Sequence, residues 1–156
     1  MTNPLTHFES PIGTLYIETN DTALTKISFT QPLPYRPIPN KNKIIQQVVK
    51  ELCGYFENPN FKFSVPIQLN STPFQQKVWQ ALQEIPSGET RTYGELAKLL
   101  NTSARAIGNA CRANPIPIII PCHRVVSKTG LGGYSGKTVG DLLYKKCYLL
   151  ALEKKD

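Results

Sequence analysis

The hydrophobic period of this chain changes once, near residue 71, and that change limits the folds open to it. Before it, apolar residues mostly alternate with polar ones. Leu15 and Ile17 flank Tyr16, a polar Asn20-Asp21 turn follows, and Ile27 and Phe29 then point one way. Phe61, Phe63, Val65 and Ile67 alternate strictly, the pattern of a half-buried strand. Between these runs lie a proline-rich loop (Pro32, Pro34, Pro37, Pro39) and a helix whose Ile44, Ile45, Val48, Val49, Leu52 and Phe56 make one apolar stripe. The first part therefore reads strand, strand, helix, strand, with Cys53 beside the stripe as a core residue.

From residue 71 the period is helical. Thr72-Pro73-Phe74-Gln75 is a capping box, with Pro73 at the first helical position and Gln75 reaching back. Phe74, Val78, Trp79 and Leu82 form a core-facing stripe, and Pro86-Ser87-Gly88 ends the helix. A second capping box, Thr92 to Glu95, opens a short helix ending near Leu100. Asn101-Thr102 makes a tight turn, and Ser103 caps a third helix running to about Ala113. The reading is two domains, 1–69 and 70–156, in an α+β (α/β) chain. Two short helices joined by a tight turn fit a plain helical hairpin or a helix-turn-helix, and the pattern alone favours the hairpin.

Composition excludes several classes. The chain has 156 residues, 40% hydrophobic and 19% charged, an ordinary soluble balance. No apolar run approaches the roughly 20 residues of a membrane helix, and Ile116 to Ile120 is broken by Pro117. The N-terminus lacks a basic start followed by an apolar stretch, so a cytoplasmic protein is expected. Four cysteines form no C-x-x-C pair, and two histidines leave no zinc-finger spacing, so no metal is expected. The formal charge is +7. Residues 1–70 carry six Lys/Arg against five Asp/Glu, and residues 71–156 carry twelve against six. Basic excess confined to the second half suits a polyanion, because each cation placed on a phosphate releases counterions; a solvated surface explains the charge equally well.

Two segments carry candidate chemistry. Ala104, Ala106, Gly108, Asn109, Ala110 and Ala113 make a helix of small residues, interrupted by Arg105 and Arg112. Gly108 costs about 1 kcal/mol against alanine, a cost accepted where a partner such as DNA must approach the backbone closely. The chain then reads Asn114-Pro115-Ile116-Pro117-Ile118-Ile119-Ile120-Pro121-Cys122-His123-Arg124-Val125. A thiol attacks only as thiolate, and its pKa of about 8.5 is lowered by a base or by positive surroundings. His123 is the candidate base and Arg124 adds positive potential. Neighbours on an extended chain point oppositely, which favours a relay through water or a turn over direct contact. On chemistry alone this adjacency is a weak signal.

Thr72-Pro73-Phe74-Gln75-Gln76-Lys77-Val78-Trp79, Tyr93-Gly94-Glu95-Leu96-Ala97, Ala104-Arg105-Ala106-Ile107-Gly108, Asn114-Pro115 and Pro121-Cys122-His123-Arg124-Val125 together resemble the 6-O-alkylguanine-DNA alkyltransferases. The likeness is dense from 71 to about 136 and looser before, where Ser10-Pro11-Ile12-Gly13-Thr14-Leu15 resembles the family's opening strand. It implies a ribonuclease-H-like N-terminal domain with a small antiparallel sheet and a helical winged-helix C-terminal domain. It implies a single-turnover DNA-repair methyltransferase: Cys122 takes the alkyl group from 6-O-alkylguanine, and from 4-O-methylthymine too, in double-stranded DNA after base flipping. No cofactor and a monomer are expected.

By the same resemblance His123 is the water-mediated base, and Asn114 holds the segment beneath the site. Tyr93 touches the flipped base and crowds a phosphate, while Arg105 fills the hole in the duplex. Thr72, Ala104, Ala106, Gly108, Asn109 and Arg112 complete the DNA face; Pro117, Val125, Tyr134 and Ser135 line the base pocket with Tyr93. Asn109 stands where the family has glycine or another small residue. Glu153 aligns with the acid that orients the histidine, but residues 137–145 lengthen the approach to it, and Asp141 is its rival. Three other readings stay open: a silent alkyltransferase-like lesion binder, a helix-turn-helix regulator with a sensor cysteine, and a cysteine hydrolase.

Overall fold

The computed structural model describes residues 5–33, 35, 42–130, 132 and 140–154, apart from the side chain of Asp141. The chain forms two compact units, Met1–Asn70 and Ser71–Asp156. In the first, β1 (Leu5–Ser10), β2 (Gly13–Thr19) and β3 (Leu24–Ser28) make an antiparallel sheet in chain order. Along β2 the sequence alternation becomes burial: Leu15, Ile17 and Thr19 are buried, while Tyr16 and Glu18 are half-exposed. Ser10 lies opposite Gly13, with Pro11 and Ile12 at the tip between them. The segment from Ser10 to Leu15, read from the sequence as an opening strand, is therefore the end of β1, the Pro11-Ile12 hairpin tip and the start of β2, and the opening strand is β1.

Helix α1 (Lys43–Glu57) begins at Asn42, whose Oδ1 accepts the Ile44 and Ile45 amides at 2.7 and 3.3 Å. It sets Ile45, Val48, Leu52 and Tyr55 against the core, each contributing about 1.5–3 kcal/mol by leaving water. Cys53 is exposed rather than core. One step along a helix turns a side chain by about 100°, which carries it off the stripe that Leu52 occupies.

The expected strand over Phe61–Ile67 is also corrected. Its faces alternate, with Val65 buried, yet it forms no ladder beyond one isolated parallel bridge between Ile67 and Leu24. Pro66 has no N–H to give, and the amides of Ser64 and Val65 go instead to the Glu51 carboxylate at 2.7 and 3.1 Å. Burial pushes the Glu51 carboxyl up, but hydrogen bonds from Gln47, Ser64 and Val65 outweigh it and hold the group below its usual range.

In the second unit, α2 (Pro73–Gln83) starts with both arms of the Thr72–Gln75 capping box formed. Val78, Trp79 and Leu82 face the core, whereas Phe74 lies on the outer first turn, 36% exposed, and is not part of that stripe. β4 (Arg91–Thr92) leads into α3 (Tyr93–Leu99), again with a complete capping box, Thr92 to Glu95. Asn101 takes a left-handed φ of 55°, so Thr102 N–H reaches Ala97 O at 2.8 Å and Asn101 N–H reaches Lys98 O at 3.4 Å. This Schellman closure stops α3 and sets the angle to α4 (Ala104–Arg112), capped by Ser103. β5 (Val125–Val126) pairs in parallel with β4, and α5 (Asp141–Glu153) follows. No helix among the described residues is long and apolar enough to cross a membrane.

Candidate active site

Cys122, His123 and Arg124 form a single 3-10 turn immediately before β5. The turn replaces the extended geometry expected of the segment, so successive side chains are about 120° apart rather than on opposite faces. Cys122 is 4% exposed and His123 fully buried. His123 Nε2 lies 2.7 Å from Glu153 Oε2, on the last turn of α5. Arg124 grips the same carboxylate with two prongs, Nε on Oε1 at 2.8 Å and Nη2 on Oε2 at 2.9 Å, and its Nη1 donates to Ile85 O at 2.6 Å.

These contacts assign the histidine tautomer. Arginine stays charged, and its fork holds Glu153 as a carboxylate, which can only accept hydrogen bonds. Nε2 must therefore carry the proton. Burial lowers the His123 pKa, and although Glu153 opposes this by hydrogen bond and charge, the direction is down. The ring is neutral at pH 7, so Nδ1 presents a bare lone pair. Nδ1 is buried and has no hydrogen-bond partner among the described residues. A buried acceptor without a partner is costly, and here it is a basic atom on the residue that follows Cys122 in the chain.

Burial pushes the Cys122 thiol up to about 11, while the Asn114 side chain and the Lys146 charge pull it back. The resting side chain is thus a protonated thiol that needs a base. Asn114 sits half-buried beneath it, donating from Nδ2 to Ile120 O at 2.8 Å and accepting Ile116 N–H at 2.9 Å. Lys146, to which the sequence pattern assigns no role, is fully buried and donates from Nζ to Val125 O at 2.7 Å. Burial brings its pKa down to about 8. Lys146 and Glu153 are seven residues apart, two helical turns, so one face of α5 supplies both.

The other expected residues divide by position. On α4, Ile107, Ala110 and Cys111 face inward, while Ala104, Arg105, Asn109 and Arg112 are exposed and Ala106 and Gly108 half-buried. A Cβ at Gly108 would meet the Tyr93 ring at 4.0 Å, an ordinary contact, so packing within the protein does not demand glycine there. Tyr93 opens α3, and its ring lies against Gly132, where a Cβ would come within 2.9 Å of it. Thr72 is exposed and engaged in the α2 cap. Pro117 and Val125 are buried. Tyr134 and Ser135 lie outside the described residues, as does the Asp141 side chain. Trp79 Nε1 donates to Ala110 O at 2.8 Å, taking a carbonyl that α4 leaves free because Asn114 N–H bonds to Cys111 O instead.

Comparison with known proteins agrees with this arrangement. Residues 5–69 match the ribonuclease-like domain of 6-O-methylguanine DNA methyltransferase, and residues 73–155 match its DNA binding domain. A probable methylated-DNA–protein-cysteine methyltransferase of Acanthamoeba polyphaga mimivirus is 41% identical over 152 residues, covering 95% of each chain. The methylated-DNA–protein-cysteine methyltransferase of Mycobacterium leprae is 41% identical over 154 residues, covering 94% of this chain and 89% of its own. The crystal structure of the Mycobacterium tuberculosis protein OGT in complex with DNA superposes with a TM-score of 0.81 at 37% identity, covering 96% of this chain and 92% of that one.

Proposed function

The chain belongs to the 6-O-methylguanine DNA methyltransferase family, a direct-reversal DNA-repair family, and from that premise we propose which of its residues carry the transfer. Cys122 is the alkyl acceptor. Its thiol proton passes to His123 Nδ1, through a bridging water. The sulfur then attacks the alkyl carbon, the S–C bond forms as the C–O bond breaks, and the electron pair stays on the guanine. The proton returned to the leaving guanine balances the step. The observation that carries this reading is the assigned tautomer: Arg124 and Glu153 fix the Nε2 proton, leaving Nδ1 of the residue that follows Cys122 in the chain as the basic atom.

The DNA face is the exposed side of α4. Ala104, Ala106 and Gly108 present a low surface, Arg105 and Arg112 project from it, and Arg105 enters the duplex where the base leaves. Asn109 and Thr72 contact the backbone beside it. Tyr93 stands at the head of α3 to crowd a phosphate and touch the extruded base, with Pro117, Val125, Tyr134 and Ser135 around the guanine. An alkylated oxygen inside the stack offers no in-line approach, which is why extrusion is needed. A monomeric, cytoplasmic protein acting also on 4-O-methylthymine completes the proposal.

Intact-mass measurement after mixing with a duplex carrying 6-O-methylguanine tests the assignment. One methyl group should appear on the peptide containing Cys122, and Cys122→Ala should gain none while still binding DNA. Methyl on Cys53, Cys111 or Cys147 would transfer the role to that residue. Repeated turnover without a mass gain would point to hydrolysis instead.

A further inference from the structure

Cys122 is delivered by a stretch of chain that is buried yet neither helix nor strand. Residues 116–123 are all buried, so their backbone groups need partners inside the protein. Asn114 satisfies two of them, as described. Ile120 N–H donates back to Ile116 O at 2.9 Å, and Cys122 N–H donates to Ile120 O at 2.8 Å. The Ile120 carbonyl thus accepts from both the Asn114 amide and the Cys122 N–H. Wherever that carbonyl sits, the backbone of the nucleophile follows.

A tight turn through Pro117 and Ile118 brings Ile120 back beneath Ile116. Proline holds its φ near about −65°, and Ile118 then takes φ of +76°. The Ile120 N–H to Ile116 O bond closes this turn from i+4 to i, an α-turn, and its left-handed position is one that glycine ordinarily takes. A β-branched residue there is a genuine outlier. Ile118 is only 1% exposed, with Ile116 and Ile120 fully buried beside it in the chain. Glycine would make the turn without strain but would put no side chain into the core. Strain of this kind persists only where the surroundings over-determine it, and it gathers at functional sites.

We propose that Ile118 is a positioning residue for alkyl transfer, its buried side chain locking the left-handed turn that fixes the Ile120 carbonyl and, through it, Cys122. The proposal rests on Cys122 being the alkyl acceptor. Glycine at 118 relaxes the backbone but lets the turn sample other geometries, so the sulfur spends less time in line with the alkyl carbon. A displacement of about 1 Å at a reacting group can cost about 100-fold in rate, so a loosened turn is expected to cost about tenfold.

The test compares wild type, Ile118→Val and Ile118→Gly for methyl transfer from a 6-O-methylguanine duplex at saturating DNA, with rates expressed per folded molecule from circular dichroism. Ile118→Val keeps the β-branch and should react within about twofold of wild type, whereas Ile118→Gly should be slower by about tenfold with unchanged DNA affinity. A plain core-filling role would lower stability and leave the rate per folded molecule alone. Ile118→Gly within about threefold of wild type, or Ile118→Val slowed as much as Ile118→Gly, overturns the proposal. Should Ile118→Gly not fold, Ile118→Ala is read against the same threshold. A wild-type protein that places no methyl on Cys122 fails the underlying reading first, and the mass measurement shows that separately.

Discussion

His123 has one ring nitrogen committed to Glu153 and the other without a partner among the described residues, and that asymmetry predicts two behaviours. Glu153→Gln removes the charge that fixes the tautomer and leaves the Arg124 guanidinium unpaired. Transfer should slow on the order of 100-fold, and stability should fall by about 3 kcal/mol; Asp141→Asn should be near wild type, and the reverse pattern would give the role to Asp141. The pH dependence follows from the direction of the His123 shift. Burial lowers its pKa below 6.5, so the folded protein favours the neutral ring. The associated stability is present above the unfolded pKa and is lost as pH falls through the folded value. Transfer should fail over the same acid range, with a midpoint below 6.5, measured as single-turnover rate against pH.

Lys146 gives a prediction of the opposite cast. Its folded pKa of about 8 lies under the ordinary 10.5 because burial penalises the charge. Between those values the unfolded chain binds one proton more, so this group makes stability rise with pH by up to about 1.4 kcal/mol per unit. Above about pH 9 the raised thiols of Cys122 and Cys111 pull the other way, which confines the clean window to roughly pH 8–9. Chemical denaturation of wild type and Lys146→Met across that window isolates the lysine: wild type should gain on the variant as pH rises. Lys146→Met should also slow transfer, about tenfold, by withdrawing positive charge from the thiolate. A flat difference between the two proteins across the window would mean that the folded lysine keeps its proton there, its pKa not lowered by burial.

At the scale of elements, what the sequence discloses depends on how far apart the interacting groups lie. The caps of α2 and α3 are legible because the box spans three residues, and the structure forms every bond it predicts. The Phe61–Ile67 alternation discloses faces but not pairing, since Pro66 and a carboxylate from α1 decide where the amides go. Cys53 and Phe74 depart from expectation for a related reason: a stripe is narrower than the run of apolar letters that suggests it. The Cys122–His123 pair is legible as adjacent letters, while Glu153 behind it is reached only through the family resemblance and the Arg124 fork on Glu153 is not foreseen. Helix α5 has no side-chain cap at its first turn, where Gly140 stands. Without that anchor, the pattern does not mark where the helix begins, although the seven-residue spacing puts Lys146 and Glu153 on one face once it forms. The left-handed Ile118 is wholly hidden, because a β-branched side chain is among the least expected at a positive φ.

Helix α4 supports its own prediction. The side chains around Arg105 on the exposed face are short, so Arg105 reaches furthest. Extruding a paired base costs a few kcal/mol, which a free modified base does not incur. Arg105→Ala should slow repair of duplex DNA at saturating concentration while sparing reaction with free 6-O-benzylguanine. If the saturated duplex rate is unchanged and only the salt dependence drops by about one charge, Arg105 is a phosphate contact instead.

For the whole molecule, the charge map and the covalent chemistry fix how it must be used. The second unit carries nearly all of the +7, so association with DNA should weaken steeply as salt rises, while the alkyl-transfer step at saturation should not. Transfer itself creates a thioether, and water does not displace a thiolate from an alkyl carbon at neutral pH. A buried Cys122 adds to this: at 4% exposure it offers a reductant or nucleophile little access once alkylated. Each molecule should therefore act once. With a tenfold excess of methylated duplex, on the order of one methyl per protein should accumulate and then stop, at any salt concentration that still permits binding. Titrating protein against a fixed amount of lesion distinguishes this from slow turnover, because the endpoint rather than the rate should scale with protein. An endpoint that climbs past one equivalent on long incubation would show that the sulfur is regenerated, and the thioether would have to be replaced by a labile intermediate.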